Sequence, residues 1–331
     1  MGNRFLARLA KLASFFALGV IALGAYTRLI DAGLGCPDWP GCYGHLLVPQ
    51  ASTATPVVAY KAWAEMLHRY FVGGLSLFII AIVISIFSQK MLRHKANIIF
   101  ALLLVLLLSY QIMLGQWTVT LKLWPVIVTQ HLLGGFLILM TLWLIYLNNN
   151  EALKMRIPAG KHCCLLGFAL IGLLLLGLQI LLGAWTSTNY AAFSCAGFPF
   201  CHNAGGMNWN FSAAFNPFST VGINYDGGVL PESARETIQM VHRSGALVVT
   251  VYWVLYAMFA LPRLKKSFEL AKTLYVILAL LCVQLSLGMA NIILKLPLLT
   301  AIAHNLTAVL LLLALTTYIF KLFVGRMKVG A

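Results

Sequence analysis

The chain is short of charge. Only 9% of its 331 residues are Asp, Glu, Lys or Arg, where a soluble domain carries about 25%. Together with 61% hydrophobic residues, that deficit excludes an ordinary soluble globular protein. Acidic residues are the scarcest, eight against 23 Lys and Arg, which leaves a net charge of +15. Seven cysteines are too few for a disulfide scaffold, so their positions matter more than their number.

What the chain has is apolar length. Eight stretches suffice to cross a bilayer, which takes about 20 residues. They run over residues 12–30, 66–87, 98–118, 126–147, 164–186, 238–260, 273–294 and 298–320. The expected fold class is an all-α integral membrane protein with eight transmembrane helices. The first stretch, preceded by Arg4, Arg8 and Lys11, has the outline of a signal peptide. Its counterpart inside the chain argues that it is a span instead.

That counterpart belongs to a repeat. Leu23-Gly24-Ala25-Tyr26-Thr27 matches Leu182-Gly183-Ala184-Trp185-Thr186 at an offset of 159, which also takes Cys36 to Cys195, Pro40 to Pro199 and Cys42 to Cys201. Met66, His68 and Arg69 match Met240, His242 and Arg243 at 174. Gln111, Leu114, Gly115, Leu121, Lys122, Leu123 and His131 match Gln284, Leu287, Gly288, Leu294, Lys295, Leu296 and His304 at 173. The expectation is two tandem, pseudo-symmetric four-helix bundles, residues 1–150 and 151–331. An even number of spans per half gives both halves the same orientation, about an axis along the membrane normal.

Sixteen of the 23 basic residues lie at the N-terminus, in loops 88–97, 148–163 and 261–272, and in the C-terminal tail. Seven remain on the other side despite its two longest loops: Arg28, Lys61, Arg69, Lys122, Arg235, Arg243 and Lys295. Both termini are therefore expected in the cytoplasm. The basic charge is a topology signal facing anionic membrane lipid, not a nucleic-acid patch.

Of the eight histidines, His45, His94, His162 and His202 fall in loops and read as solvated. His68, His131, His242 and His304 fall in the second, fourth, sixth and eighth spans, all toward the non-cytoplasmic end. Intramembrane ionisable groups usually mark sites. Two imidazoles facing each other across a four-helix bundle are suited to holding a haem by both axial positions. Zinc fits less well, since each half offers two nitrogen ligands and no thiolate at that depth. Gly73, Gly74, Gly134 and Gly135 could make room for a macrocycle, or serve close helix packing. Arg69 and Arg243 are candidates to pair with haem propionates, with snorkelling to headgroups as the competing account.

One difference separates the halves. Glu65 stands three residues before His68, on the same helix face, and Gln239 holds the matching place before His242. A carboxylate exchanges a proton and an amide does not. The substrate site is therefore expected in the N-terminal half, with Glu65 catalytic. The competing account makes Glu65 a helix-start residue favoured by the dipole. Cys36 with Cys42, and Cys195 with Cys201, each enclose five residues in an outer loop. One disulfide per loop is the simplest pairing, although spacing leaves connectivity open. Cys163, Cys164 and Cys282 read as buried or cytoplasmic-side thiols.

The run from Gly24 to Cys42, containing Cys36-Pro37-Asp38-Trp39-Pro40-Gly41-Cys42, resembles the first loop of the haem A synthase family. So do Glu65-Met66-Leu67-His68-Arg69, Gln130-His131-Leu132, Met240-Val241-His242-Arg243 and Ala303-His304-Asn305. The pattern is similar to the bacterial subclass that keeps both cysteine pairs, related to the mitochondrial haem A synthase of cytochrome oxidase assembly. Two departures fall in the second half: its cysteine loop lacks a counterpart of Asp38, and Asn305 replaces a glutamine common among relatives.

The resemblance implies an oxidoreductase of the bacterial inner membrane. It would convert haem O to haem A for terminal oxidase assembly, oxidising the ring C8 methyl to a formyl group through successive hydroxylations, with water as oxygen source. His68 and His131 would bind substrate haem, and His242 and His304 a permanent haem b. Expected partners are the farnesyltransferase that makes haem O and oxidase assembly factors, and a homo-oligomer is compatible with the chain. Two rivals account for the histidines: a dihaem b-type, quinol-linked electron-transfer cytochrome, and a haem carrier. Neither gives Glu65 a role.

Overall fold

The computed structural model describes residues 2–48, 56–160, 163–195, 197–198, 200–201, 208–218, 224–265 and 267–328; His162, Pro199 and His202 lie outside the described residues. Eight long helices dominate: α1 (Gly2–Leu29), α2 (Pro56–Ser88), α3 (Lys95–Thr120), α4 (Pro125–Asn149), α5 (Cys163–Thr188), α6 (Glu232–Ala260), α7 (Phe268–Ile293) and α8 (Leu298–Met327). Each is long and apolar enough to cross a membrane. Among the described residues there is no strand. This is a multi-pass, all-α membrane protein, in which helices satisfy their own backbone polar groups where lipid cannot.

The helices overrun the apolar stretches, and two overruns matter. Hydropathy starts the second and sixth spans at 66 and 238, but α2 begins at Pro56 and α6 at Glu232. The helix continues through charged residues and pairs Glu65 with Arg69 as i, i+4 neighbours. Glu65 is therefore in the helix interior, more than two turns from Pro56. The dipole effect fades within the first turn, which removes the helix-start account of this residue.

Within each half the packing order repeats. Helices α1–α2, α2–α3, α3–α4 and α1–α4 are in contact, as are α5–α6, α6–α7, α7–α8 and α5–α8. Small residues let α1 approach its neighbours: Ala7, Ala10, Ala13, Ser14 and Ala17 form its buried stripe. The halves meet through α1, α4, α5 and α8 and share one apolar core. Polar stitches cross that seam, with Trp143 Nε1 donating to Thr317 Oγ1 at 2.8 Å and the Thr129 and Thr188 hydroxyls 3.0 Å apart. At the loop end, Arg28 donates to the Ser187 carbonyl at 2.7 Å and covers the Tyr190 ring. Burial pushes the Tyr190 hydroxyl up to about 12, so it remains a donor to Asp226, 2.6 Å away.

The repeat extends to backbone strain. The α3–α4 and α7–α8 turns each hold two successive left-handed residues, Lys122-Leu123 (φ 50° and 62°) and Lys295-Leu296 (φ 57° and 59°). Each residue there costs roughly 1–2 kcal/mol. Matching bonds offset the cost: Leu123 N–H donates to Thr118 O at 2.8 Å and Leu296 N–H to Asn291 O at 2.7 Å.

Candidate functional site

The four membrane histidines share one arrangement. Each imidazole lies over a glycine of the preceding helix: His68 on Gly24, His131 on Gly115, His242 on Gly183 and His304 on Gly288. A Cβ at Gly24 or Gly183 would come 3.0 Å from the imidazole Cε1, and at Gly288 3.2 Å. Such contacts are tighter than most Cβ packing, so a side chain at any of these three positions would press on the ring. The even-numbered helices run the same way, which brings all four rings toward one end of the bundle. His68 and His131 lie on α2 and α4 of one four-helix set, and His242 and His304 on α6 and α8 of the other, so each half carries one pair.

The glycines singled out by sequence have different surroundings. Gly73 faces open space, whereas Gly74 packs on Phe16. A Cβ on Gly134 would fall 2.5 Å from Gln111 Oε1, so Gly134 admits that glutamine. The glycines under the histidines were nonetheless visible, since Gly24 with Gly183 and Gly115 with Gly288 are matched positions of the repeat.

Glutamines of the preceding helices meet three of the four histidines, two of them at the ring. Gln111 Nε2 donates to the His131 carbonyl at 2.8 Å. Gln179 Nε2 lies 3.0 Å from His242 Nδ1 and donates to its carbonyl at 2.9 Å. Gln284 Nε2 lies 3.2 Å from His304 Nε2. The Nδ1 atoms of His68, His131 and His304, and the Oε1 atoms of all three glutamines, are buried without a hydrogen-bond partner. Buried polar atoms are ordinarily satisfied. Paired imidazoles with unspent nitrogens, over glycines that leave space beside them, fit axial ligation of a haem in each half.

Glu65 is 5% exposed and fully engaged. Its Oε1 lies 2.5 Å from Arg69 Nη2, and its Oε2 accepts from the Cys36 N–H at 2.9 Å. That N–H belongs to the outer loop closed by the Cys36–Cys42 disulfide. The loop is pinned to α2 because Gly35 lacks a side chain: a Cβ there would lie 2.6 Å from the Lys61 carbonyl carbon. Asp38 shapes the loop tip by accepting from the Tyr43 and Gly44 N–H groups at 2.6 and 2.8 Å. Arg69 then ties loop to helix, its Nη1 donating to the carbonyls of Asp38, Pro40 and Gly41 at 3.0, 3.1 and 2.5 Å.

The second half repeats the clamp. Arg243 donates to Gly197 O at 2.6 Å and Cys195 O at 2.7 Å, across a loop closed by the Cys195–Cys201 disulfide. Both arginines thus point into their loops and hold the chain there, a use that sequence did not suggest. Gln239 is also buried, but its Oε1 has no hydrogen-bond partner, so the loop N–H contact of Glu65 is not reproduced on that atom. The disulfides follow the pairing by loop. His45 and His94 are exposed, as expected of loop residues. Cys163, Cys164 and Cys282 are all exposed; Cys282 lies in the middle of α7 and is not a buried thiol.

The comparisons with known proteins agree with this architecture. Residues 7–316 match the COX15-CtaA family model, described as cytochrome oxidase assembly protein. The chain is 41% identical to the heme A synthase of Shewanella oneidensis over 93% of this chain and 94% of that one. It is 23% identical to the heme A synthase of Bacillus licheniformis over 91% of each chain, and 22% to that of Bacillus pumilus over 90% and 88%. The paired histidines, the two disulfide loops and the eight spans are thus those of a protein that belongs to the COX15-CtaA family of cytochrome oxidase assembly proteins, the haem A synthase family.

Proposed function

We propose that the protein is a haem A synthase, an oxidoreductase that takes haem O as substrate and converts its C8 ring methyl to a formyl group. The likeness to heme A synthases across nearly the whole chain supports the reaction. The observation that carries the division of labour is the pairing of Glu65 with one histidine set and Gln239 with the other. Residues 1–150 form the substrate half, with His68 and His131 as axial ligands. Residues 151–331 hold a permanent haem b between His242 and His304. A haem held by the two imidazoles would supply an iron that exchanges electrons.

Oxidation of a methyl group also releases protons, and Glu65 is built to receive them. Arg69 and the Cys36 N–H each bond one carboxylate oxygen, which fixes the group in place. Each oxygen keeps a lone pair, so Glu65 takes a proton from the reacting methyl or orients the water that adds to it. The Cys36 loop covers this end of α2 and limits bulk water. Gln239 preserves the shape in the other half and cannot do this chemistry. The site faces the periplasm of the bacterial inner membrane with both termini cytoplasmic, as the basic residues indicate. Haem O arrives from the farnesyltransferase that makes it, and haem A passes to oxidase assembly.

Extraction and mass identification of the bound haems tests the reading. Haem O, haem A or a hydroxylated intermediate beside haem b supports it, while haem b alone in both halves supports a dihaem cytochrome.

A further inference from the structure

Both second-half imidazoles are met by a glutamine from the helix before them, His242 by Gln179 and His304 by Gln284. In the first half Gln111 reaches the His131 backbone carbonyl and not its ring, and the place before His68 is apolar. The repeat offset that takes Gly24 to Gly183 takes Val20 to Gln179, so an apolar residue stands where the second half has an amide. His68 has the Val20 backbone beside it, yet its Nδ1 has no partner in hydrogen-bond geometry.

A second position changes in step. Gly245, one turn after His242, admits Gln179, because a Cβ there would collide with the amide oxygen. Its counterpart at the 174 offset is Phe71, which stacks on Phe16 at 5.4 Å between ring centroids. The pair Gln179 and Gly245 is thus exchanged for Val20 and Phe71, swapping a hydrogen bond for an apolar contact.

The geometry points to Gln179 as a positioning residue that locks the His242 ring, and to its replacement by Val20 as what leaves His68 an exchangeable ligand. This rests on the reading that the second half retains its haem and the first must release one. Gln179 reaches both Nδ1 and the carbonyl of His242, so ring and backbone are held together. When His242 Nε2 gives its lone pair to iron, Nδ1 carries the proton and needs an acceptor. Turning the Gln179 amide over supplies one, its free Oε1 replacing Nε2 at Nδ1 and giving up the bond to the His242 carbonyl. Amide orientation follows from the bonds available to it. His68 has no such acceptor side chain, so its ring turns free at lower cost, as a ligand to a departing product should.

The test uses the full-length protein with its haems, reading two quantities: the midpoint potential of the b-type haem and its rate of transfer to excess apomyoglobin. Gln179→Met, close in size but without the amide, should speed transfer roughly twofold to tenfold, the effect of one hydrogen bond between neutral groups, and raise the potential. Gln179→Glu, which can only accept, should retain the haem and lower the potential. A Gln179→Met protein with the wild-type rate and potential overturns the inference. If that variant does not assemble, an unchanged potential in Gln179→Glu overturns it equally. A b-type haem that survives in His242→Ala protein would instead contradict the site assignment on which the inference rests.

Discussion

Glu65 and Arg69 form an ion pair of 2.5 Å on successive turns of α2, and the same arginine carries the disulfide loop. A charge on the helix, its counter-charge and the loop above them therefore make one unit. Breaking a buried pair by removing one partner costs about 3–5 kcal/mol. Arg69→Ala should accordingly lower thermal stability in detergent and loosen the loop. Arg69→Lys should recover little, since one ammonium cannot reach a carboxylate and three carbonyls in the fork geometry of Arg. Thermal unfolding with proteolysis of the loop checks this. Full stability in Arg69→Lys would show that charge alone is required.

The glycines beneath the rings give a way to perturb one half at a time. Gly183→Val should displace His242 and lower haem b retention, while Gly24→Val should displace His68 and lower turnover with haem b intact. Overpacking of this kind costs about 1–3 kcal/mol, so each effect should be several-fold or more. Absorption spectra and haem O conversion measured on both variants decide it. Equal loss of haem b from both would contradict two separate sites.

Ligation follows the same division. His242→Ala or His304→Ala should deplete the stable haem b spectrum, and His68→Ala or His131→Ala should abolish turnover while sparing it. Loss of the same haem from all four variants would sink the one-site-per-half assignment.

Topology can be checked independently. Reporter fusions in 88–97 and 261–272 should report the cytoplasm, and fusions in 45–60 and 203–230 the periplasm. The reverse result at either long loop would place all four histidines at the wrong face.

Much of this was legible in the sequence because membranes make composition speak. The eight spans follow from apolar length, and the His68, His131, His242 and His304 set from the rarity of ionisable residues in such runs. The internal repeat then separates Glu65 from Gln239. Hydropathy starts α2 and α6 late because Lys61 and Glu65 in one, and Glu232, Arg235 and Glu236 in the other, are polar, although both helices continue through them. The use of Arg69 and Arg243 was hidden because carbonyl contacts depend on how the loop folds back, not on residue type. Gln179 escaped notice for a related reason: its partner His242 is 63 residues away, and only comparison with Val20 at the repeat offset marks it.

The central claim is that Glu65 performs proton chemistry on substrate held in the first half. Glu65→Gln copies the Gln239 environment into that half and keeps side-chain size. Purified Glu65→Gln protein, supplied with haem O, should keep its haem b spectrum and lose conversion by about 10²–10⁴-fold, the typical contribution of a positioned acid–base group, or stop at a hydroxylated intermediate. Conversion of haem O to haem A at the wild-type rate would contradict the account.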